Sequence, residues 1–484
     1  MNALASLRRR LGELDDLGAL GRLAAWDQAV MMPPAGGAAR AQQLATLERL
    51  AHERGTSEEI GEWLEACEAG DGELAELDRD AVRLARRDWE RARRVPVDLA
   101  VERAAAHAEG ETIWRAARTA GSFAAFAPAL ARNVTLARAY AAAVADDGQG
   151  AYDALLADYN FGLSAEGLGV VFGRLAAELE PIVAEAGRRP APPALRVPEE
   201  AQRAAVRRIL ARLGVDGEGW RVDESSHPFT VWLGPRDLRL TTRYDDGGLV
   251  SVLGALHEFG HGLYRRQMPA DLLRTGLDQS TSTAVDESQS KLWEDQIGRH
   301  RAFAGVLAAE LRVSGLAITP DEVHGALTDV RPTPIRVSAD PVSYPLHVVA
   351  RFELERALVE GTLDVVDLPA AWNEGMRRLL GIEVPDDRSG VLQDIHWATG
   401  AFGYFPSYAL GSLIAAQLWE ALERALGPRE EALATADVAA IRTWLGNAVH
   451  RHGRRLDTDP LLERATGGPL SPDAFLRYVG ALVG

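Results

Sequence analysis

Val250-Ser251-Val252-Leu253-Gly254-Ala255-Leu256-His257-Glu258-Phe259-Gly260-His261-Gly262-Leu263-Tyr264 is the stretch whose reading decides the fold. It contains His-Glu-x-x-His. Residues four apart share one face of an α-helix, so His257 and His261 can address a single metal ion. Glu258, beside the first His, is then placed to act as general base toward an attacking water. Asp245-Asp246-Gly247-Gly248 offers caps and a turn before the helix, and Pro269 stops it. Apolar residues lie nearly all round it, which predicts burial.

Zinc in a catalytic site takes three protein ligands and keeps one position open. Residues 282–295 read as a second helix, with Val285, Leu292 and Trp293 on an apolar side and several carboxylates available. A Glu there would complete a His-His-Glu set, and Glu287 is the expected third ligand. Asp286, Glu294 and Asp295 are the alternatives, otherwise read as solvated helix carboxylates. Two His satisfied by core neighbours would be the reading without a metal.

The 484 residues suffice for a large core, with ordinary apolar and charged content for a globular protein. A formal net charge of −17 argues against nucleic acid and anionic membrane surfaces as partners. The one cysteine, Cys67, excludes an intrachain disulfide and a multi-thiolate zinc site. Residues 1–27 carry Arg8-Arg9-Arg10 in an amphipathic pattern with no continuous apolar core of a signal peptide, and no run reaches transmembrane length. A soluble, cytoplasmic protein is expected.

Helical periodicity runs from Leu4 to about Ala186, for example over 73–94, 98–119 and 123–146. Trp26 to Pro34 breaks it as a loop, with Trp26, Met31 and Met32 read as core residues. Between Trp220 and Tyr244 two β-rich segments flank Gly234-Pro235 and read as a hairpin leading into the His257 helix. Helices resume after Glu294. Two stretches, 335–347 and 390–408, look like loops yet concentrate His, Tyr, Arg and Asp, as substrate-lining loops do. The expected organisation is one domain over 1–484: a mostly helical lobe (1–219), the hairpin (220–244), and the metal-binding and C-terminal helices (245–484).

The chain resembles the zinc carboxypeptidases of the carboxypeptidase Taq type along nearly its whole length. The resemblance is carried by Trp26-Asp27-Gln28 with Met32-Pro33, Tyr152-Asp153-Ala154-Leu155-Leu156, His227-Pro228-Phe229 and Asp237-x-Arg239-x-Thr241. It continues through the His257 helix, Glu287-Ser288-Gln289-Ser290, Ile335-Arg336-x-x-Ala339-Asp340 and Gly390-x-x-Gln393-Asp394-x-His396-Trp397. It implies a mainly α, neurolysin-like zincin fold, with two helical lobes around a deep active-site groove and a small β-sheet beside the zinc helix. It also implies a homodimer that releases C-terminal amino acids from peptide substrates with broad tolerance and poor cleavage next to proline. The zinc ligands carry over to His257, His261 and Glu287, with Co2+ as a possible substitute for Zn2+, and the base to Glu258. Similar proteins usually have His-Glu-Ser where this chain has Asp286-Glu287-Ser288, so a carboxylate that could compete for the metal replaces an imidazole. Arg265-Arg266-Gln267 is also more basic than the usual pattern.

On this reading Tyr344, His396 and Tyr404 are the candidates for stabilising the oxyanion. Arg336, a planar two-pronged donor, is the candidate for the substrate's terminal carboxylate, with an ion pair to Asp340 as its structural alternative. Arg239 and Asp237 are expected to tie the hairpin to the zinc helix. An endopeptidase or dipeptidase on the same metal site is the second functional reading. A catalytically weakened peptide-binding protein, suggested by Asp286, is the third.

Overall fold

Alanine, leucine, arginine and glutamate at helical spacing fold the first third of the chain into long helices, beginning with Ala3–Val30, Gly37–Gly55, Glu58–Glu68, Glu76–Arg94, Val97–Ala120 and Phe123–Val144. The computed structural model describes residues 2–70, 74–190, 192–193, 195–244 and 247–483. Asn2 caps the first helix by accepting from the Ala5 amide. That helix runs through Trp26 to Val30, a correction to the loop expected from Trp26 onward. Arg221 and Arg239 stack on the Trp26 indole at 5.1 and 4.2 Å, so partners from the sheet fix this turn as helix and bury its Trp. Met31 is exposed rather than core.

Leu7, Ile60, Leu64, Cys67, Val82 and Ala85 form a satellite core among the N-terminal helices. The main core gathers the remaining helices around the His257 helix, Val250–Arg266. Twelve residues of that helix are buried, as its all-round apolar pattern predicts. Its N-cap is Leu249, without a side-chain cap bond; Asp245 and Asp246, expected as caps, lie outside the described residues.

The sheet has three strands in the order β1-β3-β2: β1 Trp220–Glu224, β2 Thr230–Gly234 and β3 Asp237–Thr242. β2 and β3 form the expected antiparallel hairpin. β1 adds a parallel partner on the other edge of β3, which the short polar sequence of this strand did not advertise. The sheet lies against the His257 helix: Trp220 stacks on Phe259 with centroids 5.7 Å apart, and the Thr242 hydroxyl donates to the Ser251 carbonyl at 2.9 Å. The molecule is mainly helical with a small sheet beside the His257 helix, the class expected. Among the described residues, no helix is long and apolar enough to cross a membrane.

Candidate active site

Two glycines set how closely the elements of the site approach. Gly260 faces the Thr283–Lys291 helix, where a Cβ would strike the Gln289 carbonyl and stand 2.7 Å from the Ser290 Cα. Gly411, on the Pro406–Leu426 helix, faces Glu287 from the other side, where a Cβ would stand 2.7 Å from the Glu287 Cβ. Glu287 is therefore held between two helices that only glycine lets come this near. Ser282 caps its helix by accepting from the Val285 amide.

The result is convergence. Glu287 Oε2 lies 3.8 Å from His257 Nε2 and 3.7 Å from His261 Nε2, and the three donor atoms lie within 4.8 Å of one another. Donors about 2.0–2.2 Å from a tetrahedral zinc sit roughly 3.3–3.6 Å apart, so two imidazoles and one carboxylate at this slightly wider spacing form a donor set that suits such an ion.

Behind each imidazole stands a carboxylate. His257 Nδ1 lies 2.9 Å from Glu294 Oε2, and His261 Nδ1 lies 3.3 Å from Asp286 Oδ1. A carboxylate can only accept, so each Nδ1 carries a proton, and each Nε2 is the nitrogen turned toward Glu287. Burial works against a charged imidazole at both positions, yet the carboxylates overcome it: Glu287 and Glu294 push His257 up to about 9, and Asp286 raises His261. The expectation of solvated helix carboxylates is corrected here. Glu294 and Asp295 are not solvated: both lie on a π-helical turn, Leu292–Ile297, and pair with Lys291 and Arg299. Asp286 turns to His261 and Arg265 instead of joining the metal ligands. Arg265 is buried in that contact and Arg266 reaches the Pro235 carbonyl, so the basic pair does not line the site as free charge.

Glu258 is 5% exposed and directed toward the sheet. Thr230 of β2 donates to its Oε2 at 2.7 Å. Thr230 carried no sequence signal of its own beyond following His227-Pro228-Phe229. Asp237 and Arg239 pair with each other, and Arg239 stacks on Trp26, so they fasten the hairpin to the first helix and not to the His257 helix, as had been expected.

The two chemistry-rich stretches meet in one buried cluster. Arg336 places Nε and Nη2 on Asp394 Oδ1 at 3.1 and 2.8 Å and Nη1 on the Tyr344 hydroxyl at 3.0 Å. Arg351 donates to Asp394 Oδ2 at 2.6 Å. The ion pair anticipated with Asp340 does not form; Asp340 accepts instead from the Arg331, Val342 and Ser343 amides. Two guanidinium groups on one carboxylate leave one positive charge in excess. They hold Asp394 far below the usual carboxylate range. Tyr344 opens the Tyr344–Glu360 helix, inside what read as loop, and Glu287 is among the charges acting on its phenol. Tyr404 and Tyr408 feel the same carboxylate. His396 Nε2 lies 3.1 Å from the Tyr408 hydroxyl, and burial lowers this imidazole to about 4, so it is neutral. Sequence reasoning did not single out Tyr408, Asp394 or Arg351 as site residues. The first two lie within the 390–408 stretch, while Arg351 looks like any helix arginine.

Comparison with known proteins gives the family. The family described as Carboxypeptidase Taq (M32) metallopeptidase matches residues 6–482. Thermostable carboxypeptidase 1 of Thermus thermophilus is 40% identical over 96% of this chain and 94% of its own length. Carboxypeptidase 1 of Bacillus subtilis is 32% identical over 94% and 92%. The Pyrococcus furiosus carboxypeptidase Apo-Mg structure superposes with a TM-score of 0.96 at 32% identity, covering 100% of this chain and 99% of that one. An M32 carboxypeptidase from Deinococcus radiodurans R1 gives a TM-score of 0.94 at 33% identity, with 100% and 99% covered. This chain belongs to the carboxypeptidase Taq (M32) family of metallocarboxypeptidases.

Proposed function

We propose that the protein is a zinc-dependent carboxypeptidase that releases C-terminal amino acids from peptides with broad specificity. His257, His261 and Glu287 would hold the zinc, with Co2+ as a workable substitute, and Glu258 would be the general base. The convergence of those three donors beside Glu258 carries this reading. A zinc ion held there supplies Lewis acidity, acidifying water and polarising a carbonyl.

The protein's own groups do the rest. Glu258, oriented by Thr230, takes a proton from the attacking water and delivers it to the departing amine. The Tyr344 hydroxyl accepts from Arg336, which leaves its own proton for the oxyanion of the tetrahedral intermediate. Tyr404, whose ring packs edge-on against Tyr408 at 5.3 Å, would be a second donor. His396, whose Nε2 faces Tyr408, serves by holding that phenol in place. Arg336 would meet the substrate's terminal carboxylate, and the excess positive charge it shares with Arg351 supports an exopeptidase over an endopeptidase. We further infer a single domain over 1–484, supported by a family match that runs over residues 6–482, and a homodimer, as the resemblance implies. A cytoplasmic location is supported by the single cysteine.

The test compares the wild type with Glu258→Ala for metal content and for hydrolysis of blocked peptides with free or amidated C-termini. One zinc per chain in both proteins, loss of activity in the variant and no cleavage of amidated ends are expected. Cleavage of amidated peptides would make the protein an endopeptidase and remove the role given to Arg336. Peptide binding without turnover by the wild type would sink the enzymatic reading.

A further inference from the structure

The two imidazoles of the site are supported in the same way by unrelated residues. Behind His257 stands Glu294, which in turn accepts from Lys291 Nζ at 2.8 Å. Behind His261 stands Asp286, whose other oxygen, Oδ2, accepts from Arg265 Nη2 at 3.2 Å and from the Ser280 hydroxyl at 3.4 Å. We propose that Asp286 and Arg265 act as one positioning pair that fixes the tautomer and direction of His261, the counterpart of Glu294 and Lys291 behind His257.

Three observations carry this. Both oxygens of Asp286 are engaged, one by His261 and one by Arg265 and Ser280, so the carboxylate is turned away from the point where the three metal donors converge. Arg265 is itself anchored. It is 8% exposed, lies one helical turn beyond His261, stacks over the Trp232 ring at 3.8 Å and donates to the Asp278 carbonyl at 3.4 Å. Trp232 is fixed in turn by Arg22 of the first helix, which stacks on it at 4.1 Å and donates to its carbonyl at 3.0 Å. The third observation is charge. Glu258, Glu287, Glu294 and Asp286 act together on the two imidazoles, and a cation paired with an orienting carboxylate offsets part of that negative charge. Arg265 supplies that at Asp286, as Lys291 does at Glu294.

The inference rests on zinc binding at His257, His261 and Glu287, and its test separates the two. Zinc affinity is measured by chelator competition on the folded wild type, Asp286→Asn, Arg265→Gln and the double variant, with thermal unfolding of each as a control. If the wild type binds no zinc, the functional reading fails before the pair is tested. If it does bind, Asp286→Asn should weaken zinc about 10- to 100-fold and Arg265→Gln about tenfold. The double variant should be no weaker than Asp286→Asn alone, because the arginine acts through the carboxylate. Affinity within twofold of wild type in Asp286→Asn overturns the proposal, as do single losses that multiply in the double variant. Should Arg265→Gln fail to fold, the cobalt-loaded Asp286→Asn protein decides. A changed visible spectrum means that His261 has moved at the ion, and an unchanged one assigns the pair to helix packing alone.

Discussion

Thr230 Oγ1 lies 2.7 Å from Glu258 Oε2 and 2.9 Å from the Glu258 carbonyl oxygen, so one strand hydroxyl faces both polar ends of the proposed base. A hydrogen bond to a charged group contributes about 1.5–3 kcal/mol. Thr230→Val keeps the shape and removes the donor. It should lower kcat at least about tenfold while zinc content stays at the wild-type level. Steady-state kinetics with metal analysis checks this; kcat within twofold of wild type would leave Thr230 a purely structural role.

Gly411→Ala pushes a methyl group into the Glu287 side chain. Overpacking of this kind costs about 1–3 kcal/mol, and here the displaced group is a proposed metal ligand. Both thermal stability and zinc affinity should fall. Gly480→Ala, exposed on the last helix with nothing within 4 Å of the added carbon, is the control and should be neutral or slightly stabilising.

Asp394→Asn leaves Arg336 and Arg351 buried without their shared anion. Breaking a buried ion pair from one side costs about 3–5 kcal/mol. Urea unfolding should show a loss of that order, far larger than at the exposed pair Arg301–Asp321, where Asp321→Asn should change stability by less than about 1 kcal/mol.

Glu355 is fully buried, and among the described residues no cation pairs with it. It accepts from the Gly403 amide, from Trp397 Nε1 at 3.1 Å and from the Tyr152 hydroxyl at 3.3 Å. Burial outweighs these donors and raises its pKa from 4.5 to about 7. The folded state therefore holds this proton more tightly than the unfolded chain. The resulting contribution to stability is complete below about pH 4.5 and is lost as pH rises through about 7. At about 1.4 kcal/mol per pKa unit it amounts to roughly 3 kcal/mol. The stability of wild type relative to Glu355→Gln should fall by about that amount between pH 4.5 and 8. A flat difference across this range, measured by urea unfolding, would remove Glu355 as the titrating group.

Local geometry made the centre of this protein legible in the chain. Two His four apart on a buried helix must face one way, and a Glu on the next helix was the natural third donor, so His257, His261, Glu258 and Glu287 could be named from spacing and chemistry. The helical class followed equally from local periodicity. What the chain alone did not reveal was who stands behind whom. Glu294 and Asp286 read as solvated helix acids unless they were ligands, and Arg265 only as part of a more basic segment, yet packing joins them to the two imidazoles. For Arg336 an ion pair with Asp340, four residues away, stood as the structural alternative to substrate binding, whereas its partner is Asp394, 58 residues on. Those pairings depend on how helices and strands distant in sequence meet, which the missing side chains at Gly260 and Gly411 and the stacking on Trp26 and Trp232 decide. Helical spacing settles the direction of a side chain along its own element, and only the assembled core settles what it finds there.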